Sequence, residues 1–106
     1  MDMNTAAKSL EALGNPTRLE IFRLLVRAGP IGAVVGELQT QLNIPGSTLS
    51  HHISRLLQVG LVSQERRSRL RVCHANYGHM NALLDYLKEH CCEGLFAEDA
   101  PRSGAV

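Results

Sequence analysis

The amino-acid sequence predicts a mainly α-helical domain with one small β-hairpin, and three observations support this fold class. Apolar residues recur with helical spacing in five segments, and one short segment alternates between apolar and basic residues. Aromatic residues make up only 4% of the chain, so the core must be mostly aliphatic. At 106 residues and 44% hydrophobic content, one small core is expected. We expect residues 1–94 to form this domain and residues 95–106 to form a flexible tail.

Two helices are predicted at the N-terminus. Apolar residues in residues 3–13 share one helical face, and Gly14 ends this helix. Asn15 is a suitable N-cap and Pro16 a suitable first residue for a second helix, which continues to Ala28. The broad apolar surface of the second helix predicts a central position in the core.

A third and a fourth helix are predicted to be joined by a tight turn. Val34, Val35, Leu38 and Leu42 outline the short third helix. The fourth helix covers Pro45 to Leu57, and its apolar stripe consists of Leu49, Ile53, Leu56 and Leu57. Two short helices joined in this way, the second with a polar outer face, form a helix-turn-helix.

The polar face of the fourth helix suits the major groove of DNA. It carries Ser47, Thr48, Ser50, His51, Ser54 and Arg55. Short donors and acceptors let a helix approach base edges closely, and the face carries no acidic residue that would repel phosphate. Taken alone, the same pattern also fits an ordinary solvated surface helix.

The segment after the fourth helix predicts a basic hairpin. Gly60 is expected just past the helix end, and residues 61–75 contain four arginines and one glutamate, a local charge of +3 in a chain of net charge +1. Alternation places Leu70, Val72 and His74 on one side and Arg69, Arg71 and Cys73 on the other, with the turn near residues 67–69. We expect Arg67, Arg69 and Arg71 to contact the DNA backbone as a wing. A solvated charged hairpin is the alternative.

A last helix is predicted over residues 78–92. Its apolar stripe consists of Met80, Leu83, Leu84, Leu87 and Cys91. A domain of this size cannot cover the stripes of both terminal helices, so we expect a homodimer formed through the first and last helices. A twofold dimer would present two recognition helices to half-sites about one DNA turn apart.

Composition also argues against several classes of protein. The sequence begins without a signal-peptide pattern and has no membrane-length apolar run, so we expect a soluble cytoplasmic protein without a membrane partner. Three cysteines, an odd number, predict free thiols rather than a disulfide framework. An enzyme is not expected, because the chain has no C-x-x-C spacing and no glycine-rich phosphate loop.

With this order of elements, the chain resembles the ArsR-type family of metal- and metalloid-responsive bacterial repressors. The resemblance covers about residues 6–92 and rests on four motifs. These are L-G-N-P-T-R-L-E-I at 13–21, G-E-L at 36–38, S-T-L-S-H-H-I at 47–53 and G-L-V at 60–62. It implies a homodimeric winged helix-turn-helix that represses a resistance operon by binding double-stranded operator DNA until an inducer binds.

Two inducer sites that the resemblance suggests are absent or incomplete. The Cys-Val-Cys pattern that opens the third helix in the founding arsenical sensors is replaced by Val34, Val35 and Gly36. His79, His90 and Glu93 match part of the ligand set that zinc sensors place on the last helix. However, Tyr77 stands where those sensors have Asp.

The adjacent thiols of Cys91 and Cys92 are the preferred candidate site. Thiolate sulfur selects soft ions, and some arsenical sensors of this family place a cysteine pair here with a third cysteine in the tail. No cysteine follows Cys92, so the third ligand stays open between a solution thiol, His90 and a partner's cysteine, whereas Cys73 is expected to lie elsewhere. We therefore predict release from DNA when As(III) or Sb(III) binds the pair. The alternatives are a zinc- or redox-responsive repressor of the same fold and, for Cys91, simple burial at the dimer interface.

Overall fold

The computed structural model describes residues 1–96 and contains the predicted helices and hairpin. Its elements are α1 (Met3–Leu13), α2 (Pro16–Ala28), a 3-10 turn (Gly29–Ile31), β1 (Ala33–Val34), α3 (Val35–Leu42), α4 (Gly46–Gln58), β2 (Val62–Arg67), β3 (Leu70–Ala75) and α5 (Tyr77–Lys88). The fold is therefore a winged helix-turn-helix, as predicted. Most of the expected C-terminal tail lies outside the described residues. No helix among residues 1–96 is long and apolar enough to cross a membrane.

The helix ends follow the capping signals in the sequence. Asn15 begins α2 by accepting a hydrogen bond from the Arg18 backbone N–H at 3.0 Å. Gly60, with φ at 82°, ends α4 in a Schellman motif. Its own N–H donates to the Leu57 carbonyl at 3.1 Å, and the Leu61 N–H donates to the Leu56 carbonyl at 3.1 Å. The chain therefore leaves α4 in the direction that starts the hairpin.

The hairpin belongs to a three-stranded antiparallel sheet in the order β1-β3-β2. The two-residue strand β1 was not predicted, and its Ala33 and Val34 pair with Cys73 and Val72. The prediction that Cys73 lies on the side away from the core was wrong, because Cys73 is fully buried. β3 is the central strand of the sheet, and it also packs against α2. The strand is therefore flanked by β1 and β2 and covered by a helix.

The last helix is shorter than predicted. α5 ends at Lys88, and Cys91 and Cys92 therefore lie in the turn beyond it. The placement of Cys91 on an apolar helical stripe was wrong, since both cysteines are exposed. Leu87, in the last turn of α5, is 56% exposed, so no packing within one chain supports a further helical turn.

The hydrophobic core is centred on α2 and α4. Ile21 and Leu25 of α2 and Leu49 and Leu56 of α4 are fully buried. Leu61, just beyond the Schellman motif, is equally buried. This core fixes the inner face of α4 and leaves its polar face outside.

Candidate nucleic-acid interface and thiol site

The polar face of α4 is exposed as a recognition helix requires. Its exposed members include Ser47, Thr48, Ser50, His51 and Ser54. They are short or planar side chains on a helix whose other face is locked in the core, so the backbone of α4 can approach a groove closely. α3 joins α4 through a tight turn in which Asn43 adopts a left-handed conformation, with φ at 51°. The helix-turn-helix geometry is thereby set by local sequence.

One flank of α4 is tied to α1 and α2 rather than open to solvent. The Arg55 Nη2 atom donates to both carboxylate oxygens of Glu11, at 2.8 and 2.9 Å. Next to this pair, the Arg18 Nε atom donates to the Ala12 carbonyl oxygen at 2.7 Å. The predicted DNA contact Arg55 is therefore already engaged by a carboxylate of the same chain.

His52 occupies the same flank as a neutral acceptor. Its Nδ1 atom lies 3.4 Å from the Arg18 Nη1 atom, and a guanidinium can only donate. Desolvation, together with the charges of Arg18 and His51, lowers the pKa of His52. His52 thus contributes to the packing of α4 against α2.

The other flank of α4 faces the wing across a small recess of about 220 Å³. Polar groups from both elements line it, namely Ser50 and Ser54 of α4 and Gln64 and Arg71 of the hairpin. Arg71 makes no ion pair within residues 1–96. One cation, two hydroxyls and an amide therefore lie between the recognition helix and the wing, where an oxygen-rich anion such as a backbone phosphate would be complementary.

The wing is a tight hairpin with a basic tip. Arg67 pairs with Leu70 across a two-residue turn in which Ser68 has φ at 57°. The Arg67 Nη2 atom lies 2.7 Å from a Glu65 oxygen, and the same oxygen contacts the His74 ring at 2.9 Å. His74 and Arg67 hold the pKa of Glu65 below its usual value. Arg67 is therefore partly neutralised.

The remaining cation at the tip is Arg69, which is exposed and makes no ion pair among the described residues. Together with Arg66 and Arg71, which face each other across the two strands, it supplies the net positive charge of the hairpin. Charges in this position can contact the DNA backbone but carry no direct sequence information.

Cys91 and Cys92 form an exposed dithiol in the turn after α5. Their Sγ atoms are 3.2 Å apart. The turn is closed by the Cys91 N–H, which donates to the Lys88 carbonyl at 3.0 Å, and Cys92 has φ at 64°. The adjacent Cys91 thiol raises the pKa of Cys92, so an ion that binds the Cys92 thiolate must displace a proton.

Cys73 does not belong to this site. It is buried at the base of the sheet, where its Sγ atom accepts a hydrogen bond from the Gln64 Nε2 atom at 3.4 Å. Burial raises the pKa of the Cys73 thiol. The sequence-based exclusion of Cys73 from the thiol site therefore agrees with the structure, although the reason given for it was wrong.

The three residues of the zinc alternative do not all meet within one chain. The His79 Nε2 atom lies 2.8 Å from the Ser9 Oγ atom, and that hydroxyl donates to the Thr5 carbonyl. His79 therefore donates to Ser9 through Nε2. His90 and Glu93 do contact each other, so two of the three candidates are brought together and His79 is not. Among residues 1–96, no three His, Cys, Asp or Glu side chains form a metal-sized cluster. A zinc site shared by two subunits stays a prediction.

Tyr77, which stands where zinc sensors have Asp, has a structural contact instead. Its hydroxyl donates to the Val26 carbonyl oxygen at 3.2 Å, near the end of α2. It therefore anchors the start of α5 to α2.

Sequence reasoning missed three residues that shape the interface. Glu11 of α1 and Arg18 of α2 contact α4, and Gln64 of β2 donates to Cys73 across the hairpin and lines the recess. In the sequence, Glu11 follows Leu10 on the polar face of an amphipathic helix, and this position predicts a solvated carboxylate. Only the packing angle between α1 and α4 makes it a partner of Arg55.

These features define a class of protein, the winged helix-turn-helix DNA-binding regulators. A family described as a helix-turn-helix domain matches residues 13–65. The HTH-type transcriptional regulator YgaV of Escherichia coli K12 is 30% identical over 87 residues, which are 82% of this chain and 86% of YgaV. The crystal structure of an ArsR family transcriptional regulator matches with a TM-score of 0.72 at 26% identity, covering 85% of this chain and 90% of that one.

The chain belongs to the ArsR family of transcriptional regulators. A further relative is the putative arsenical resistance operon repressor ArsR2 of Halobacterium salinarum, 33% identical over 69 residues, or 65% of this chain. The match spans only 57% of ArsR2. Family membership confirms the expectation that this protein binds DNA as a transcriptional regulator and is not an enzyme.

Proposed function

We propose that this regulator represses a metalloid-resistance operon and leaves its operator when As(III) or Sb(III) binds Cys91 and Cys92. The observation that carries the proposal is the exposed dithiol with its two sulfurs 3.2 Å apart. A single thiophilic ion can contact both atoms with little movement, and soft sulfur ligands favour such ions. The Halobacterium relative is named as a putative arsenical resistance operon repressor, and this name supports the proposal of a metalloid inducer.

The third position on the ion is open to a donor from outside the pair. The full chain has three cysteines, and the remaining one, Cys73, is buried in the sheet. A solution thiol, His90 or a cysteine of the other subunit would complete the coordination. Replacing His90 by Ala in the assay below distinguishes the side chain from the other donors.

Two copies are proposed to pair through α1 and α5. Both helices leave large apolar side chains uncovered in the single chain. Met3 and Leu10 of α1 are 71% and 42% exposed, and Leu84 and Leu87 of α5 are 50% and 56% exposed. Burying this surface would favour association, and L84E/L87E should shift the protein to monomer in sedimentation velocity. Because the thiol turn directly follows α5, an ion bound there can change the pairing of the two subunits.

For the DNA complex, we propose that Ser47, Thr48 and His51 enter the major groove and that Ser50, Ser54 and Arg71 hold a phosphate at the recess. Arg67 and Arg69 approach the backbone from the wing, where the charge of Arg67 is reduced by Glu65. Ion binding and DNA binding then weaken each other equally, and couplings of this kind typically amount to about 5- to 150-fold in affinity.

The test is DNA release by arsenite from the full-length protein. C91S/C92S should bind the same promoter fragment as the wild type and should no longer release it. C73A is the matched control, because it removes one thiol outside the pair and should still release. Continued release by C91S/C92S would refute the proposal. Release by zinc but not by arsenite or antimonite would instead favour the zinc alternative.

A further inference from the structure

The ion pair between Glu11 and Arg55 joins α1 to the recognition helix. Arg55 lies in the third turn of α4, and its Nη2 atom contacts both oxygens of Glu11, at 2.8 and 2.9 Å. The Arg55 side chain is 37% exposed, against 56% for Arg67 on the wing. Arg55 is thus paired at the protein surface, since the Glu11 side chain is 62% exposed.

A second contact reinforces the same junction. Arg18 of α2 donates to the Ala12 carbonyl, one residue after Glu11, and also approaches His52 on α4. Two guanidinium groups, one from α2 and one from α4, therefore hold adjacent residues at the end of α1. Three helices meet here, on the flank of α4 opposite the wing.

The charges argue against Arg55 as a phosphate contact. If Arg55 moved to the DNA, the Glu11 carboxylate would be left unpaired beside a polyanion, and a new repulsion would offset the new attraction. While paired, Glu11 and Arg55 together carry no net charge. Such a pair releases no counterions from DNA and adds nothing to the salt dependence of binding.

We infer that Arg55 is a positioning residue, held by Glu11, which fixes the orientation of α4 against α1 and does not itself bind DNA. This inference rests on the DNA-binding part of the proposed function and is independent of the thiol site. It also changes the prediction from sequence, in which Arg55 was one of the DNA contacts.

The salt dependence of DNA binding separates a positioning residue from a phosphate contact. The probe is a short duplex enriched by the wild-type protein from a random-sequence library, with affinity measured over a range of salt concentrations. R69Q is the matched control, because Arg69 is an exposed arginine at the wing tip. R69Q should lower the salt slope by about one per protomer. E11Q/R55Q, which removes both charges and leaves no unpaired carboxylate beside the DNA, should leave the slope unchanged and weaken binding by no more than about 5-fold per protomer.

A charge exchange completes the test. R55E should weaken binding strongly, and E11R/R55E should recover most of the lost affinity because the pair is rebuilt in reverse. If E11Q/R55Q lowers the slope as R69Q does, or if a folded E11R/R55E fails to recover, the inference is wrong.

If the exchange variant does not fold, the E11Q variant distinguishes a positioning role of Arg55 from a phosphate contact. A positioning role predicts weaker binding by E11Q, whereas a phosphate contact held back by Glu11 predicts tighter binding. A wild-type protein that binds no duplex would refute the proposed function itself. That outcome is distinct from every result that refutes only the role of Arg55.

Discussion

Substitution of Gly32 by Ala tests how the wing is attached to the helices. Gly32 has φ at 72° and ψ at −167°, a region that side-chain-bearing residues rarely adopt. A Cβ atom at this position would lie 2.5 Å from the Cys73 carbonyl oxygen and 2.7 Å from the His74 ring. The atoms it meets belong to β3, the central strand of the sheet, so β1 and β3 cannot keep their pairing.

Gly29 provides a matched control for this substitution. It has nearly the same backbone conformation, with φ at 71° and ψ at −162°, but no atom lies within 4 Å of an added Cβ. Both variants should lose about 1–3 kcal/mol from backbone strain. G32A should lose roughly 1–3 kcal/mol more, because an overpacked contact must be relieved by moving the strand.

Thermal unfolding followed by circular dichroism measures the difference. For a domain of this size, each kcal/mol corresponds to about 4–8 °C in Tm. The G32A protein should therefore melt at least roughly 4 °C below G29A, and G29A below the wild type. Equal melting temperatures for the two variants would refute the argument that Gly32 is required by close approach to β3.

Two further predictions follow from the titratable groups. Because burial lowers the pKa of His52 in the folded state, its contribution to stability is present above about pH 6.5 and is lost as the pH falls below it. H52Q should therefore flatten the acid-side fall in Tm, and an unchanged difference between pH 7.5 and about pH 5 would contradict the assignment. Thiol alkylation followed by mass spectrometry should modify the exposed Cys91 and Cys92 first and the buried Cys73 only on unfolding. Early modification of Cys73 in the native protein would show that the base of the sheet opens.

Local signals in the sequence were sufficient for most of the fold. The stripe of Leu49, Ile53 and Leu56 predicted the buried face of α4, and Gly60 marked its end, because both depend on helix geometry alone. The turn of the hairpin near Ser68 was also predicted from alternation and charge. The outer face of α4 followed directly from these elements.

Features that depend on tertiary contacts were not predictable in the same way. A two-residue strand such as β1 is too short to show a period in the sequence. In β3 the predicted alternation of buried and exposed residues is not observed, because β3 is the central strand and both Val72 and Cys73 are buried. Cys91 fitted the helical period of α5, but periodicity does not show whether the last turn has anything to pack against. The contact between Glu11 and Arg55 joins residues 44 positions apart, and no pattern in the sequence connects them.

The position of the thiol turn has a consequence for how such proteins diversify. Residues 89–96 are exposed, and none of them belongs to the hydrophobic core. Selection can therefore replace the side chains of this segment, including the two thiols, while leaving folding stability nearly unchanged. Under the proposed function, a few mutations in this exposed segment would change which ion is sensed without altering the fold.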